Sequence, residues 1–124
     1  MAQTMPVYIN GDTILSSAIP NGSESTAALI TTNSGAISEG LLVGLHGKLA
    51  TTGGAVIVRV YSDASKTLEI YKATLTFTAP ATELSDLMSE PIPFFEAPYF
   101  TVEGDATSAT KNFHSTFYVK AMRS

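Results

Sequence analysis

Residues 40–77 constrain the fold more than any other part of the chain: GLLVGLHGKLA, TTGG, AVIVRVY, SDASKT and LEIYKATLTF follow one another. Apolar and polar residues alternate in three runs, and the runs are cut by turn-forming residues, which predicts three β-strands joined by two tight turns. In the middle run Val56, Val58 and Val60 face one way, and Ile57, Arg59 and Tyr61 the other. Centring the second turn on Ala64-Ser65 sets Val58 opposite Tyr71 and Val56 opposite Ala73, with Leu75 and Phe77 continuing the core face. The same register gathers Ile57, Tyr61, Leu68 and Ile70 on the outer face. A strand with one wet face alternates cleanly, so a hairpin apolar on both faces needs a cover: a second layer of this chain or a partner. A slip of one residue would reverse every assignment.

The flanking sequence keeps the same grammar. A short strand at Met5, Pro6, Val7, Tyr8 and Ile9 meets Asn10-Gly11-Asp12, a hairpin signal, and a second strand is expected over residues 13–19. Pro6 removes a ladder donor and so suits an edge strand or an arm. Residues 1–20 are expected to form a first hairpin or an arm that docks on a neighbour. TAALITT at residues 26–32 reads as a strand. In residues 37–50, Leu41, Val43, Leu45 and Leu49 share one face, opposite His46 and Lys48, and the interspersed glycines suggest bulges or close backbone approach. Residues 79–90 alone have helical character, with Leu84, Leu87 and Met88 at helical spacing. Pro91, Pro93 and Pro98 then frame an extended apolar run that crosses the end of the molecule. A strand at residues 99–104 puts Phe100 and Val102 on one face. A polar loop follows at 105–111, and a last strand at 112–122 points Phe113, Phe117 and Val119 inward.

About eight short strands with at most one helical turn predict a single all-β domain over residues 1–124, a two-sheet antiparallel sandwich of jelly-roll type. A chain of 124 residues sustains one hydrophobic core unaided. A net charge of −4, with seven scattered Lys and Arg, speaks against nucleic acid as a partner. No cysteine is present, which excludes disulfides and thiolate metal sites. MAQTMPVYING lacks the basic start and apolar run of a secretory signal, and no apolar run is long enough to span a bilayer.

Catalytic chemistry finds little support. His46 and His114 fall on outward faces without H-x-H or H-E-x-x-H spacing, so solvated or interface histidines are expected, with no metal and no cofactor. Serines and aspartates abound, but no G-x-S-x-G elbow marks a nucleophile. Glu83, Asp86, Glu90 and Glu96 gather loosely near the proline-rich crossover without the aromatic platforms of a glycosidase cleft. Asp12, Asp63 and Asp105 read as turn residues bonding their own backbone. No enzyme is expected.

The order of GLLVGLHGKL, VIVRVYSD, a returning strand, PIPFFEAPYFTVEG and a terminal FYVKA strand resembles the small β-sandwich virion proteins of tailed bacteriophages, of the head decoration or cement type. The likeness covers residues 40–121. It implies a non-enzymatic protein made in the host cytoplasm that joins the virion, binds the major capsid protein and stabilises the shell as a homo-oligomer, typically a trimer. Neither nucleic acid nor membrane is an expected partner. Under it, Ile57, Tyr61, Leu68 and Ile70 become the subunit contact, and the arm containing Met5, Pro6, Val7, Tyr8 and Ile9 orders against the shell. The alternatives are a carbohydrate-binding or receptor-binding module, which needs a shallow groove with two or more exposed aromatics, and a tail or collar component of the same kind of particle.

Overall fold

A computed structural model describes residues 5–15, 19–32, 35–36, 38–109 and 111–123. Their strands are β1 (Met5–Leu15), β2 (Ala28–Leu29), β3 (Thr31–Thr32), β4 (Gly35–Ala36), β5 (Gly40–Leu49), β6 (Ala55–Tyr61), β7 (Glu69–Thr76), β8 (Glu83–Phe94), β9 (Tyr99–Gly104) and β10 (Phe113–Arg123). The pairing is nested. β6 pairs with β7, β5 with β8, β2 with β9 and β1 with β10, all antiparallel, as in one long hairpin of paired segments. Rolling that hairpin up adds the β5–β10 and β6–β9 ladders. The result is two sheets, β1-β10-β5-β8 and β2-β9-β6-β7, facing each other as a jelly roll, with β3 and β4 as a separate small hairpin.

The core lies between the sheets. Leu42, Leu45 and Leu49 of β5 and Phe113, Phe117 and Val119 of β10 meet Val56, Val58 and Val60 of β6 and Phe100 and Val102 of β9. Each such side chain contributes about 1.5–3 kcal/mol when fully buried. Phe77 and Phe113 pack edge to face with ring centres 6.3 Å apart, and Phe100 tilts against Phe117 at 5.3 Å. Two glycines are required by geometry. A Cβ on Gly47 would stand 2.6 Å from Leu75 Cδ1 and 2.8 Å from Phe113 Cζ, so the bare backbone is what admits both side chains. Gly54 has a φ of +85° and lies where a Cβ would meet the Ser108 backbone nitrogen at 2.6 Å.

β6 and β9 match their sequence-based bounds to the residue, and the core faces of β6, β9 and β10 are as expected. Five expectations are corrected. Asn10-Gly11 does not turn: β1 passes straight through it, in unbroken register with β10 from Met5↔Arg123 to Leu15↔Phe113. Asn-Gly permits a type I′ turn without compelling one, and an eleven-residue partner strand holds it extended. Pro6 does sit on an edge strand, since β1 ends its sheet. Residues 1–4 and 16–18 of the expected arm and second strand lie outside the described residues.

TAALITT splits between β2 and β3, which belong to different sheets. In β5 the inward set is Leu42, Leu45 and Leu49, while Leu41 and Val43 are only half-buried. The ladder skips Val43, between Leu42↔Val119 and Gly44↔Tyr118, and that bulge exchanges the two faces. Residues 83–90 are strand, not helix: burial alternates along β8, with Leu84, Asp86 and Met88 more enclosed than Glu83, Ser85 and Leu87. Among the described residues no helix occurs, and one helical turn, closed by Ala109 N–H to Asp105 C=O at 2.8 Å, lies in the loop before β10.

The β6–β7 register is the fifth. Val58 pairs with Ala73, Val56 with Leu75 and Val60 with Tyr71, two residues from the expected alignment. The loop is asymmetric because Asp63 accepts from the Thr67 N–H at 2.9 Å and Lys66 takes a φ of 59°. A two-residue displacement preserves the face, so Tyr71, Ala73 and Leu75 still turn to the core.

Candidate functional site at the open sheet edges

The four residues expected to form one apolar patch are separated by the structure. Tyr61 is 7% exposed. Ile70 sits at the bulge after Tyr61↔Glu69 and packs against the core cluster. Ile57 is half-buried, flanked in register by Thr74 and Glu103. Leu68 alone stays open, at 58% exposure.

A polar network covers what was expected to be an apolar face. Residues 20–25 run beside β9, tied by Gly104 N–H to Pro20 C=O (2.8 Å), Gly22 N–H to Gly104 C=O (2.9 Å) and Ser25 N–H to Val102 C=O (2.8 Å). This path brings the Glu24 carboxylate over β6. It accepts from the Tyr61 hydroxyl and from Thr101 Oγ1 at 3.1 Å, with Arg59 Nη1 at 3.4 Å and Lys66 Nζ at 3.5 Å. Arg59, its side chain 17% exposed, donates to Glu103 at 2.8 Å and lies 3.5 Å from Glu69. Burial works to raise the Glu24 carboxyl, but the hydrogen bonds from Tyr61 and Thr101 and the charges of Lys66 and Arg59 outweigh it and hold it below its ordinary value. Burial first, then the hydrogen bond to Glu24 and its charge, push Tyr61 up to about 12. The hydrogen bond to Glu103 raises Arg59 further against the desolvation that opposes it. The second layer over this face is therefore a segment of the chain itself.

The opposite situation holds where β7 and β8 end their sheets side by side. The Tyr71 hydroxyl donates to Asp86 across the gap, and burial, followed by that bond and charge, raises the phenol above its ordinary value. One cleft of about 390 Å³ lies along Ala73–Thr76 and Leu84–Asp86. Another, of about 450 Å³, is lined by Ser62, Leu68, Ile70, Pro93, Phe94, Phe95 and Glu96. Three large hydrophobic residues stand exposed among the described residues: Leu68 at 58% and Phe95 at 76% beside this second cleft, and Leu87 at 72% on the outer face of β8, with its side chain over Gly44 of β5. An exposed apolar cleft of this kind marks a contact site.

On the outer face of β5 and β8, His46 stands opposite Ser85. Its Nδ1 lies 2.7 Å from Ser85 Oγ and its Nε2 3.0 Å from Glu83 Oε1. Serine, imidazole and carboxylate in that order are the parts of a nucleophilic triad. The imidazole and the carboxylate are both substantially solvent-exposed, however, and developing charge is stabilised only weakly in such a high-dielectric setting. The trio is a cross-strand tie between β5 and β8. His114 lies on β10 between Ile14 and Lys48 in register.

Among the described residues no three of His, Asp and Glu converge in a way that could hold a metal. Asp63 and Asp105 bond their own loops as expected, Asp105 taking the N–H groups of Thr107 (2.9 Å) and Ser108 (2.8 Å), and Asp105 also accepts from the distant Ala55 N–H at the start of β6 (2.9 Å). Asp12 instead lies within β1, paired with Thr116. The Glu24–Arg59 network escaped the sequence reading because Glu24 is one acid in a polar loop. Arg59, a lone cation amid outward apolar positions, was the signal that carboxylates would close over it.

No family model matches the chain, and no curated protein matches it significantly. A solved structure, the crystal structure of FLHE, is similar in fold: the match spans 94% of this chain and 96% of that one, with a TM-score of 0.51 and 10% sequence identity. At that identity the likeness speaks for the architecture alone.

Proposed function

We propose that this protein acts by contact, as a non-enzymatic structural component of a bacteriophage virion. In this role it is a capsid decoration or cement protein that binds the outer shell as an oligomer, a trimer by preference, and stabilises it. The observation that carries the docking role is the exposure of Leu68 and Phe95 beside the apolar cleft that Ile70, Pro93 and Phe94 also line. The virion assignment is supported by the strand pattern of residues 40–121 and by the jelly roll itself, an architecture shared by viral capsid and lectin domains. The contact surface moves accordingly. Tyr61 is enclosed within the protomer, while Ile70, partly buried, lines the open cleft together with Leu68 and Phe95. Met5, Pro6, Val7, Tyr8 and Ile9 belong to β1, an edge strand of the sandwich, and remain the proposed shell-docking segment.

A carbohydrate-binding or receptor-binding module is the alternative, and it calls for a platform of exposed rings. Phe95 is the single aromatic among the large exposed hydrophobics of the described residues, which favours protein contact. The test is light scattering behind a sizing column, followed by incubation with coat shells and a thermal disassembly measurement. A closed oligomer that raises the shell's disassembly temperature supports the proposal. A monomer that neither binds shells nor shifts that temperature overturns it.

A further inference from the structure

The backbone of β8 is as informative as its side chains. Leu49 N–H bonds to Thr82 C=O at 2.9 Å, which fixes the phase of the β5–β8 ladder. Positions opposite Leu49, Gly47 and Leu45 exchange hydrogen bonds with β5, so the intervening residues Glu83, Ser85 and Leu87 aim their N–H and C=O groups away from it. β8 is the last strand of its sheet, and these groups form an open ladder along its edge. The ladder is short. The register jumps from Gly44↔Leu87 to Leu42↔Ile92, and Pro91 and Pro93 carry no N–H, so the far half of β8 is closed to further pairing.

The chemistry beside this ladder is apolar and acidic. Leu87 stands 72% exposed within it. Phe95 and Leu68 flank the 450 Å³ cleft that lies beyond the prolines. No Lys or Arg occurs between Lys72 and Lys111, an interval holding Glu83, Asp86, Glu90, Glu96, Glu103 and Asp105. Glu83, Asp86 and Glu90 lie on β8 itself and Glu96 in the turn after it.

We infer that residues 83–87 receive an extended segment of a different protein, alternating apolar side chains with Lys or Arg, which adds as a further strand of the sheet. The inference rests on the contact-acting reading and gives its partner a chemistry. Backbone bonds supply the pairing, Leu87 and the cleft take apolar side chains, and the carboxylates select for cations. A second copy of this chain is the poorer occupant, because two such rims would set Glu90 and Glu96 of one against those of the other, with Lys48, opposite Glu83, as the nearest cation.

The experiment uses the full chain and fluorescence anisotropy with three labelled peptides. One alternates lysine with valine, one alternates glutamate with valine, and the third is the lysine–valine peptide N-methylated along its pairing edge. The first is expected to bind, more weakly as salt rises, and to slow amide exchange at Glu83, Ser85 and Leu87. The other two are expected to bind at least about tenfold more weakly. Leu87→Asp adds a charge the cationic peptide should like, yet should weaken it about tenfold by removing apolar contact; Glu90→Lys with Glu96→Lys should weaken it as well. Equal binding of the N-methylated peptide, equal binding of the glutamate peptide, or exchange protection elsewhere overturns the inference. So does the absence of binding. A protein that assembles and stabilises shells while ignoring the lysine–valine peptide removes the inference and leaves the proposed function standing. One that binds the peptide at residues 83–87 but ignores shells does the reverse.

Discussion

The outer face of β6 and the rim shared by β7 and β8 lie on either side of one hairpin, and both are sequences a strand should not leave bare. The first is closed by the chain itself: residues 20–25 pair alongside β9 and lower Glu24 onto Arg59, Tyr61 and Thr101. The second has no such strap, and Leu68, Leu87 and Phe95 stand open. The difference teaches that apolar content alone does not mark an interface. What separates the two is whether a charge on the outer face, here Arg59, compels a polar segment to come and meet it.

If that contrast is right, the largest effect follows from removing the charge. Arg59→Leu leaves Glu24, Glu69 and Glu103 facing one another without their shared cation, and a loss of about 2–4 kcal/mol is expected in urea unfolding. Loss of under 0.5 kcal/mol would mean that the strap is held by its backbone bonds alone.

Glu24→Gln is expected to cost about 1–2 kcal/mol at neutral pH, since the charge-assisted bonds from Tyr61 and Thr101 become ordinary ones. The pH dependence has a sign. The folded carboxyl lies below its ordinary 4.5, so its stabilisation is complete above that value and drains away as pH falls through the lowered one. Wild type and Glu24→Gln should converge in acid. Tyr61 runs the other way: with its folded value raised from 10.0 to about 12, its contribution is complete below pH 10 and is lost as pH climbs through 12. Tyr61→Phe should cost about 1 kcal/mol and flatten the alkaline limb of the stability curve. A variant with an unchanged alkaline limb would place the high-pH loss on another group.

Much of the fold was legible because it is local. β6 could be bounded to the residue since Gly54 and Ser62 punctuate a clean period of two, and the valines could be assigned to the core without knowing what they meet. Legibility failed wherever a distant partner decided the outcome. Asn10-Gly11 stays extended because β10 is there to pair with it. Leu84, Leu87 and Met88 satisfy helical spacing and strand alternation alike, and β5 resolves the ambiguity. Val43 is one bulged residue, yet it exchanges the faces of everything before it. The rim was half legible. Leu68 was named from the sequence, but Leu87 was assigned to a helix and Phe95 fell inside the proline-framed apolar run, so neither could be marked as exposed until β8 became an edge strand.

The rim should behave as the reverse of the network under mutation. Leu87→Ser and Phe95→Ser touch side chains already in water, and each should move the unfolding midpoint by no more than about 0.5 kcal/mol while weakening attachment to shells. Ser85→Ala bears on the one arrangement that could turn this edge into an enzyme. Ser85, His46 and Glu83 have the distances of a triad, but the imidazole is 30% and the carboxylate 54% exposed, and an imidazole that water reaches is expected to catalyse no better than the free molecule. Hydrolysis of p-nitrophenyl acetate by the wild type should match that of imidazole at equal concentration, and Ser85→Ala should not slow it. A rate that exceeds free imidazole by about a hundredfold and collapses in Ser85→Ala would make the open edge a catalytic one. The contrast between the sealed face and the open rim would survive that result, with chemistry in place of docking as the reason the rim was left uncovered.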